Sequence, residues 1–162
     1  MGAGASTLVR ELVALGYLHI EAVDHSQVAL AQLRALLGEA SSAVRFTCAD
    51  VRSVTLETPV RVWHDRATFH FLTLPAEQAL YAASAARGVE PGGHLVMATF
   101  SETGPQSCSG LPVANHSAAS LAAVFAGGFE LVEAFERLHY TPWGASQSFT
   151  HALLLRRPPA EI

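Results

Sequence analysis

The stretch HDRATFH, which begins at His64, gathers the side chains of this sequence that are best suited to move a proton. His64, Asp65 and His70 carry imidazole and carboxylate groups, which act as general bases when they are held beside a protonated nucleophile. We therefore take these three as candidate catalytic residues, with Phe69 as a candidate substrate contact. The alternative is structural: Asp65 and Arg66 pair locally and cap the next helix, while the histidines satisfy backbone groups.

A metal site is not predicted. His64 and His70 are six residues apart, which differs from the i, i+4 spacing that places two ligands on one helix face. Cys48 and Cys108 are far apart in the sequence and lack CxxC spacing, so neither a zinc site nor a disulfide framework is expected. Both cysteines are predicted to be reduced.

The polar stretch FSETGPQSCSGLPVANHS is predicted to be a long loop that shapes a pocket. Cys108 and Ser109 are its candidate substrate contacts. A cysteine nucleophile would indicate a hydrolase or another transferase, but SCSG lacks the first glycine and the strand of a GxSxG nucleophile elbow. An ordinary loop with a partly buried thiol is the other interpretation.

Aromatic side chains cluster in LHYTPWGASQSF, where two predicted strands meet in a turn. Tyr140 and Trp143 are candidate substrate contacts, because aromatic walls at a hairpin tip can enclose a ligand. They can equally pack the hairpin onto its sheet, and the sequence leaves both possibilities open.

Alternating helices and strands must position these residues. Apolar spacing predicts helices at residues 8–15, 26–38, 75–94 and 117–128, the second with Ser26 as cap and Gly38 as stop, and the third starting at Pro75 and closed by a proline–glycine turn. Strands are predicted at residues 19–23, 43–49, 59–65, 95–100, 129–140 and 148–157. This order predicts an α/β fold: a mostly parallel sheet with helices on both faces and an antiparallel C-terminal hairpin.

Residues that follow the strands carry a family resemblance, because ligands of open parallel sheets bind at the carboxyl ends of the strands. In order they are the turn GAGAS, then Asp24, CADV and HDRATFH, followed by the EPGGHLVMATF turn and strand. With this order and spacing the chain resembles the class I S-adenosylmethionine-dependent methyltransferases over nearly all of its length. The resemblance implies a Rossmann-like fold.

The resemblance also implies S-adenosylmethionine as cofactor and assigns residues to it. Gly2, Ala3 and Gly4 would lie beside its methionine portion, and Asp24 would accept from the ribose hydroxyls. Asp50 would accept from the adenine amino group, with the backbone of Ala49 and Val51 framing the ring. The implied activity is methyl transfer to a small molecule or a protein side chain.

One element of the family pattern is missing, since the first strand normally precedes the glycines and here Met1 stands directly before Gly2. A sheet that kept a central gap would leave two rows of backbone groups unpaired, at about 1–3 kcal/mol for each buried group. We therefore expect the flanking strands to close up, the sheet to be rebuilt, or a homo-oligomer with exchanged strands to form. The alternative function is a truncated, methyltransferase-like protein that has lost the cofactor and serves as an oligomeric binding protein or a hydrolase.

The composition indicates the number of domains, the class of partner and the cellular location. The 162 residues fit one domain, residues 1–162, and half of them are apolar. A net charge of −4, with scattered arginines and no lysine, argues against a nucleic-acid partner. No apolar run approaches the ~18 residues of a membrane span, and no signal peptide precedes the glycines. A cytoplasmic protein that acts on small molecules or proteins is expected.

Overall fold

The computed structural model describes residues 1–4 and 6–158. The chain divides into two compact units, one from Met1 to Val54 and one from Thr55 onward. The helices are α1 (Thr7–Ala14), α2 (Gln27–Leu37), α3 (Pro75–Gly88) and α4 (Ala118–Phe125), with short 3-10 turns at Gly38–Ala43 and Phe69–Phe71. The strands are β1 (Ile20–Asp24), β2 (Val44–Cys48), β3 (Val60–Arg66), β4 (Val89–Phe100), β5 (Ser107–Cys108), β6 (Leu111–Pro112), β7 (Phe129–Tyr140) and β8 (Ser146–Arg156).

The first unit is a βαβ arrangement preceded by a helix. Strands β1 and β2 pair in parallel, from Ile20 opposite Val44 to Asp24 opposite Cys48. The Ser26 hydroxyl accepts from the Ala29 N–H at 3.2 Å and begins α2. Gly38, at φ 56°, ends it, so both predicted helix ends are confirmed. The core of this unit comes from one face of each element: Val9, Ala22, Leu30, Leu33 and Val44.

The second unit is built on a four-stranded sheet of order β3-β4-β8-β7. Strands β3 and β4 are parallel, whereas β4, β8 and β7 pair antiparallel. The predicted C-terminal hairpin is confirmed, and its turn is closed by the Thr141 N–H donating to the Ala145 carbonyl at 2.9 Å. In the described part of the chain no strand precedes α1, and β1 and β3 belong to separate sheets.

Strand β4 starts earlier than the sequence indicated. The motif VEPGGH was expected to close α3, but the helix ends at Gly88 and the strand begins at Val89. Pairing passes from Val60 opposite Val89 directly to Val62 opposite His94, so the intervening residues of β4 bulge out of the ladder. Gly92, at φ 80°, provides the left-handed backbone that this bulge needs.

The two faces of the four-stranded sheet differ. Side chains alternate between faces along a strand. On one face Trp63 meets Tyr81 of α3 in an edge-to-face contact, and Phe69 packs on Tyr81 and on Phe125 of α4, with ring centroids 5.1 and 5.4 Å apart. We call the opposite side the arginine face; it carries the cross-strand row Arg66–Ala98–His151–Phe135. Among the described residues no helix combines the length and the apolar character needed to cross a membrane.

Candidate functional site

The glycine turn is fastened to the end of β1. Gly2 and Gly4 have φ angles of 58° and 46°, a backbone conformation that glycine adopts without strain. The Ala3 N–H donates to the Val23 carbonyl at 2.9 Å, and the Gly4 N–H donates to Asp24 Oδ2 at 2.8 Å. The turn and the acidic residue, which are twenty residues apart in the chain, therefore lie in direct contact.

Asp24 is buried, with an exposed fraction of 7%. Its Oδ1 accepts from the Ser26 N–H at 2.8 Å and its Oδ2 from Gly4. Each carboxylate oxygen has two lone pairs. Oδ1 also lies 3.5 Å from Nδ1 of the exposed His25, whereas Oδ2 keeps an acceptor position that no other hydrogen bond of the described residues uses. The Ser26 hydroxyl, rather than Asp24, caps α2.

The residues after β2 lie at the same end of this two-stranded sheet. The Ala49 N–H donates to the Asp24 carbonyl at 3.0 Å, which ties the ends of β1 and β2 together. Asp50 Oδ1 accepts from the Arg52 Nε and N–H groups at 2.9 and 2.8 Å. Hydrogen bonds from the Arg52 side chain lower the pKa of Asp50, so this carboxylate is ionised at neutral pH. Val51 lies between Asp50 and Arg52 in the sequence, and its side chain is half-buried.

These residues fit a nucleoside cofactor of the expected kind. No atom lies within 4 Å of the place that a Cβ on Gly4 would occupy, so the backbone there can approach a ligand closely. The open space lies next to the buried carboxylate of Asp24, and the ionised carboxylate of Asp50 follows the end of β2. The first unit thus brings Ala3, Gly4, Asp24 and Ala49 together by hydrogen bonds at the joined ends of β1 and β2. The other predicted cofactor residues, Gly2, Asp50 and Val51, are their neighbours in the chain.

Asp65 lies in the interior of the second unit, with an exposed fraction of 1%. Its Oδ2 accepts from the Tyr81 hydroxyl at 2.6 Å, and that hydroxyl accepts from Trp63 Nε1 at 3.0 Å. Its Oδ1 accepts from the backbone N–H groups of Thr68 and Phe69 at 3.1 and 3.2 Å. Burial first, and then the Asp65 charge, raise the pKa of Tyr81, which therefore stays a proton donor. The carboxylate fixes the turn that follows β3.

The two candidate histidines have different surroundings. His64 neighbours Asp65 on β3 and therefore points to the arginine face, away from α3; burial lowers its pKa. His70 has no exposed surface, and its ring lies 4.5 Å from those of Phe71 and Phe100. Burial and the neighbouring His116 lower the pKa of His70 to about 4, so it is neutral at neutral pH. Neither ring nitrogen of His70 has a hydrogen-bond partner among the described residues.

The predicted substrate contacts are dispersed over the second unit. Phe69 is fully buried in the aromatic core between α3 and α4. Cys108 and Ser109 lie in the β5–β6 hairpin, where the Cys108 side chain packs against the Phe100 and Phe149 cluster. Tyr140 and Trp143 are at the tip of the β7–β8 hairpin, 65% and 80% exposed. Roles for these residues in substrate binding stay predictions.

Sequence reasoning overlooked a group of residues on the arginine face. Arg66, Arg137, His139, Tyr140, Phe149 and His151 line a cleft of about 390 Å³. Of these residues only Tyr140, in the aromatic hairpin turn that also contains His139, was a candidate substrate contact. The signal that could have found them is the two-residue alternation along β7 and β8, which places Arg137, His139, Phe149 and His151 on one face once the hairpin is known. In the described residues no cluster of three or more possible metal ligands occurs.

Solved structures of other proteins share this fold, although the sequence of this chain matches no family model. No protein-family model and no curated protein sequence matches the chain. Solved structures do match, and one is an S-adenosylmethionine-dependent methyltransferase from Methanosarcina mazei with a TM-score of 0.81 and 12% identity, covering 96% of this chain and 90% of that one.

Two further structures match over a similar extent. The N-methyltransferase NodS from Bradyrhizobium japonicum has a TM-score of 0.78 at 13% identity, covering 97% of this chain and 83% of its own. The 1,6-didemethyltoxoflavin-N1-methyltransferase from Burkholderia thailandensis, with bound S-adenosylhomocysteine, has a TM-score of 0.77 at 18% identity, covering 97% and 69%. Since nearly the whole chain is matched each time, the protein has the fold of the class I S-adenosylmethionine-dependent methyltransferases.

Proposed function

We propose that the protein transfers a methyl group from S-adenosylmethionine to a small molecule or a protein side chain. The observation that carries the proposal is the contact between the glycine turn and Asp24, with the Gly4 N–H donating to Asp24 Oδ2 at 2.8 Å. It joins a backbone that a ligand can approach closely to a buried carboxylate. Structures of the same fold support the choice of cofactor, since two of them contain S-adenosylhomocysteine.

The proposed roles in cofactor binding follow from the chemistry of each group. Gly2, Ala3 and Gly4 lie beside the methionine portion, where a glycine lets the chain approach closely. Asp24 accepts from the ribose hydroxyls through the second lone pair of Oδ2 and through Oδ1, which the exposed His25 side chain also contacts. The ionised Asp50, whose two oxygens also accept from Arg52, accepts from the adenine amino group, and Ala49 and Val51 frame the ring.

The acceptor side of the reaction needs alignment and, for a protonated nucleophile, a base. Bound S-adenosylmethionine supplies a methyl group already activated by its sulfonium. We propose His64 as the proton acceptor, because its lowered pKa keeps it neutral near pH 7. Asp65 is a positioning residue in this proposal. One of its oxygens accepts from the backbone N–H groups of Thr68 and Phe69, and the other accepts from the Tyr81 hydroxyl. His70 is buried in the same turn, and its proposed role is also to hold this turn in place.

Calorimetric titration with S-adenosylhomocysteine tests the proposal directly. We expect saturable binding by the unaltered chain and at least tenfold weaker binding by Asp24→Asn, since two hydrogen bonds to a charged acceptor contribute about 1.5–3 kcal/mol each. Glu11→Gln, on the exposed surface of α1 in the same unit, is the matched control and should bind as tightly as the original. Absence of heat and of a thermal shift at millimolar ligand would refute cofactor binding.

The predicted homo-oligomer is a separate proposal. Light scattering on the purified chain tests it, and a monomer at all concentrations would exclude strand exchange between copies.

A further inference from the structure

The cleft on the arginine face combines positive charge with aromatic surface. Arg66 at the end of β3 lies over the Phe149 ring, 5.6 Å from its centroid. Arg137 is the register partner of Phe149 on β7, so the two guanidinium groups belong to adjacent rows of the same sheet face. The cleft is therefore bordered by two permanent positive charges that come from opposite edges of the sheet.

No carboxylate in the described residues forms an ion pair with Arg66 or Arg137. In contrast, Arg61 on the same strand pairs with Glu90 at 2.9 Å. His151, between the two arginines, is affected by both, because burial and then the charges of Arg66 and Arg137 lower its pKa. Glu133 lies on the same face beyond Phe135 but does not line the cleft, so the two arginines give the cleft itself a positive potential that an anion would neutralise.

Flat apolar surface forms the rest of the cleft. Phe149 is almost fully buried and provides the floor. The His151 ring stacks on Phe135 with a centroid distance of 4.9 Å and an interplanar angle of 6°. His139 contacts Phe149 edge-on at 6.2 Å. A ring or another flat conjugated group can lie on such a surface.

The volume of the cleft is that of a site for a small-molecule ligand. Its volume of about 390 Å³ falls within the ~300–1,000 Å³ of small-molecule sites. We propose that this cleft binds a small organic anion, a carboxylate or phosphate attached to a flat apolar group, and that such an anion is the methyl acceptor. Arg66 and Arg137 hold the anionic group, and the exposed ring of His139, above the Phe149 floor, contacts the apolar part. The assignment as acceptor rests on the proposed methyltransferase function, whereas the binding site itself does not.

Binding of three related probes tests the inference: benzoate, phenyl phosphate and the uncharged benzamide, each titrated into the full chain without cofactor. We expect at least one anion to bind at least tenfold more tightly than benzamide. Arg66→Gln and Arg137→Gln should each weaken that binding tenfold or more, because a charge-assisted hydrogen bond is lost. Arg61→Gln, which removes an equal charge from the same strand outside the cleft, should change it less than twofold.

The outcomes separate the possibilities. Preference for benzoate identifies a carboxylate ligand, and preference for phenyl phosphate identifies a phosphate. Equal binding of benzamide, no binding of either anion, or equal loss in Arg61→Gln would overturn the inference. S-adenosylhomocysteine is titrated into the same preparations: if it binds and the anions do not, the cleft assignment fails alone. If the anions bind and it does not, the methyltransferase proposal fails while the anion site stands.

Discussion

Replacing Tyr81 by phenylalanine should destabilise the second unit strongly, although the change removes a single oxygen atom. That oxygen accepts from Trp63 Nε1 at 3.0 Å and carries the proton donated to Asp65 Oδ2 at 2.6 Å. All three residues are buried. Tyr81→Phe therefore leaves one N–H donor and one carboxylate oxygen without their partner in the interior.

The magnitude follows from these two losses. A hydrogen bond to a charged group contributes about 1.5–3 kcal/mol, and a buried donor without a partner costs about 1–3 kcal/mol. Their sum predicts a loss of about 2.5–6 kcal/mol in the free energy of unfolding. At about 2–4 °C per kcal/mol for a chain of this size, the melting temperature should fall by about 10 °C.

Urea unfolding followed by the fluorescence of buried Trp63 measures the effect. Tyr140→Phe is the matched control, because the same oxygen is removed from a side chain that is 65% exposed; it should stay within about 0.5 kcal/mol of the original. The raised pKa of Tyr81 adds a second readout. The folded state keeps this proton longer than the unfolded state, so stability falls as pH rises above about 10, and Tyr81→Phe should remove that part of the decrease. A loss below 1 kcal/mol would refute the reasoning.

Two further changes test the packing and the titration of the second unit. Gly88→Ala should cost about 1–3 kcal/mol, because its Cβ would lie 2.5 Å from Trp63 Cζ3, whereas Gly127→Ala, with no atom within 4 Å of the new Cβ, should be nearly neutral in the same unfolding assay. His70 has a pKa of about 4 when folded against 6.5 as its ordinary value, so the unfolded state binds more protons between these pH values and stability falls as pH decreases through them. His70→Leu should reduce this decrease by up to about 3 kcal/mol in melts from pH 7 to 4, whereas His19→Leu, a change at an exposed histidine, should keep it. If stability falls as steeply with pH in His70→Leu as in His19→Leu, the prediction is wrong.

Local signals were sufficient for most of the fold. Ser26 and Gly38 mark the ends of α2 because capping and left-handed backbone depend on a few neighbouring residues. The contact between the glycine turn and Asp24 was also predictable, since the carboxyl end of a parallel strand and the turn beside it share one edge of the sheet.

The second unit required information that no local pattern contains. Asp65 and Tyr81 are 16 residues apart on a strand and a helix, and the spacing along either element does not show that they meet. The convergence of Arg66 and Arg137 depends on the register of three ladders. A bulge between Leu131 and Glu133 further interrupts the alternation of β7, so the face on which Arg137 lies follows from the paired structure.

The bulge at the start of β4 divides the strand into a first part whose length can vary and a second part whose length is fixed by pairing. Residues 90–93 lie outside the regular ladder, so the connection between α3 and the sheet can change in length without moving the pairs that begin at His94. A deletion after His94 has a different effect, because a shift of one residue exchanges the two faces of a strand. It would turn Met97 out of the core and bring Val96 in. Insertions and deletions are therefore tolerable before His94 and damaging after it, and natural variation in length is expected to accumulate on the first side.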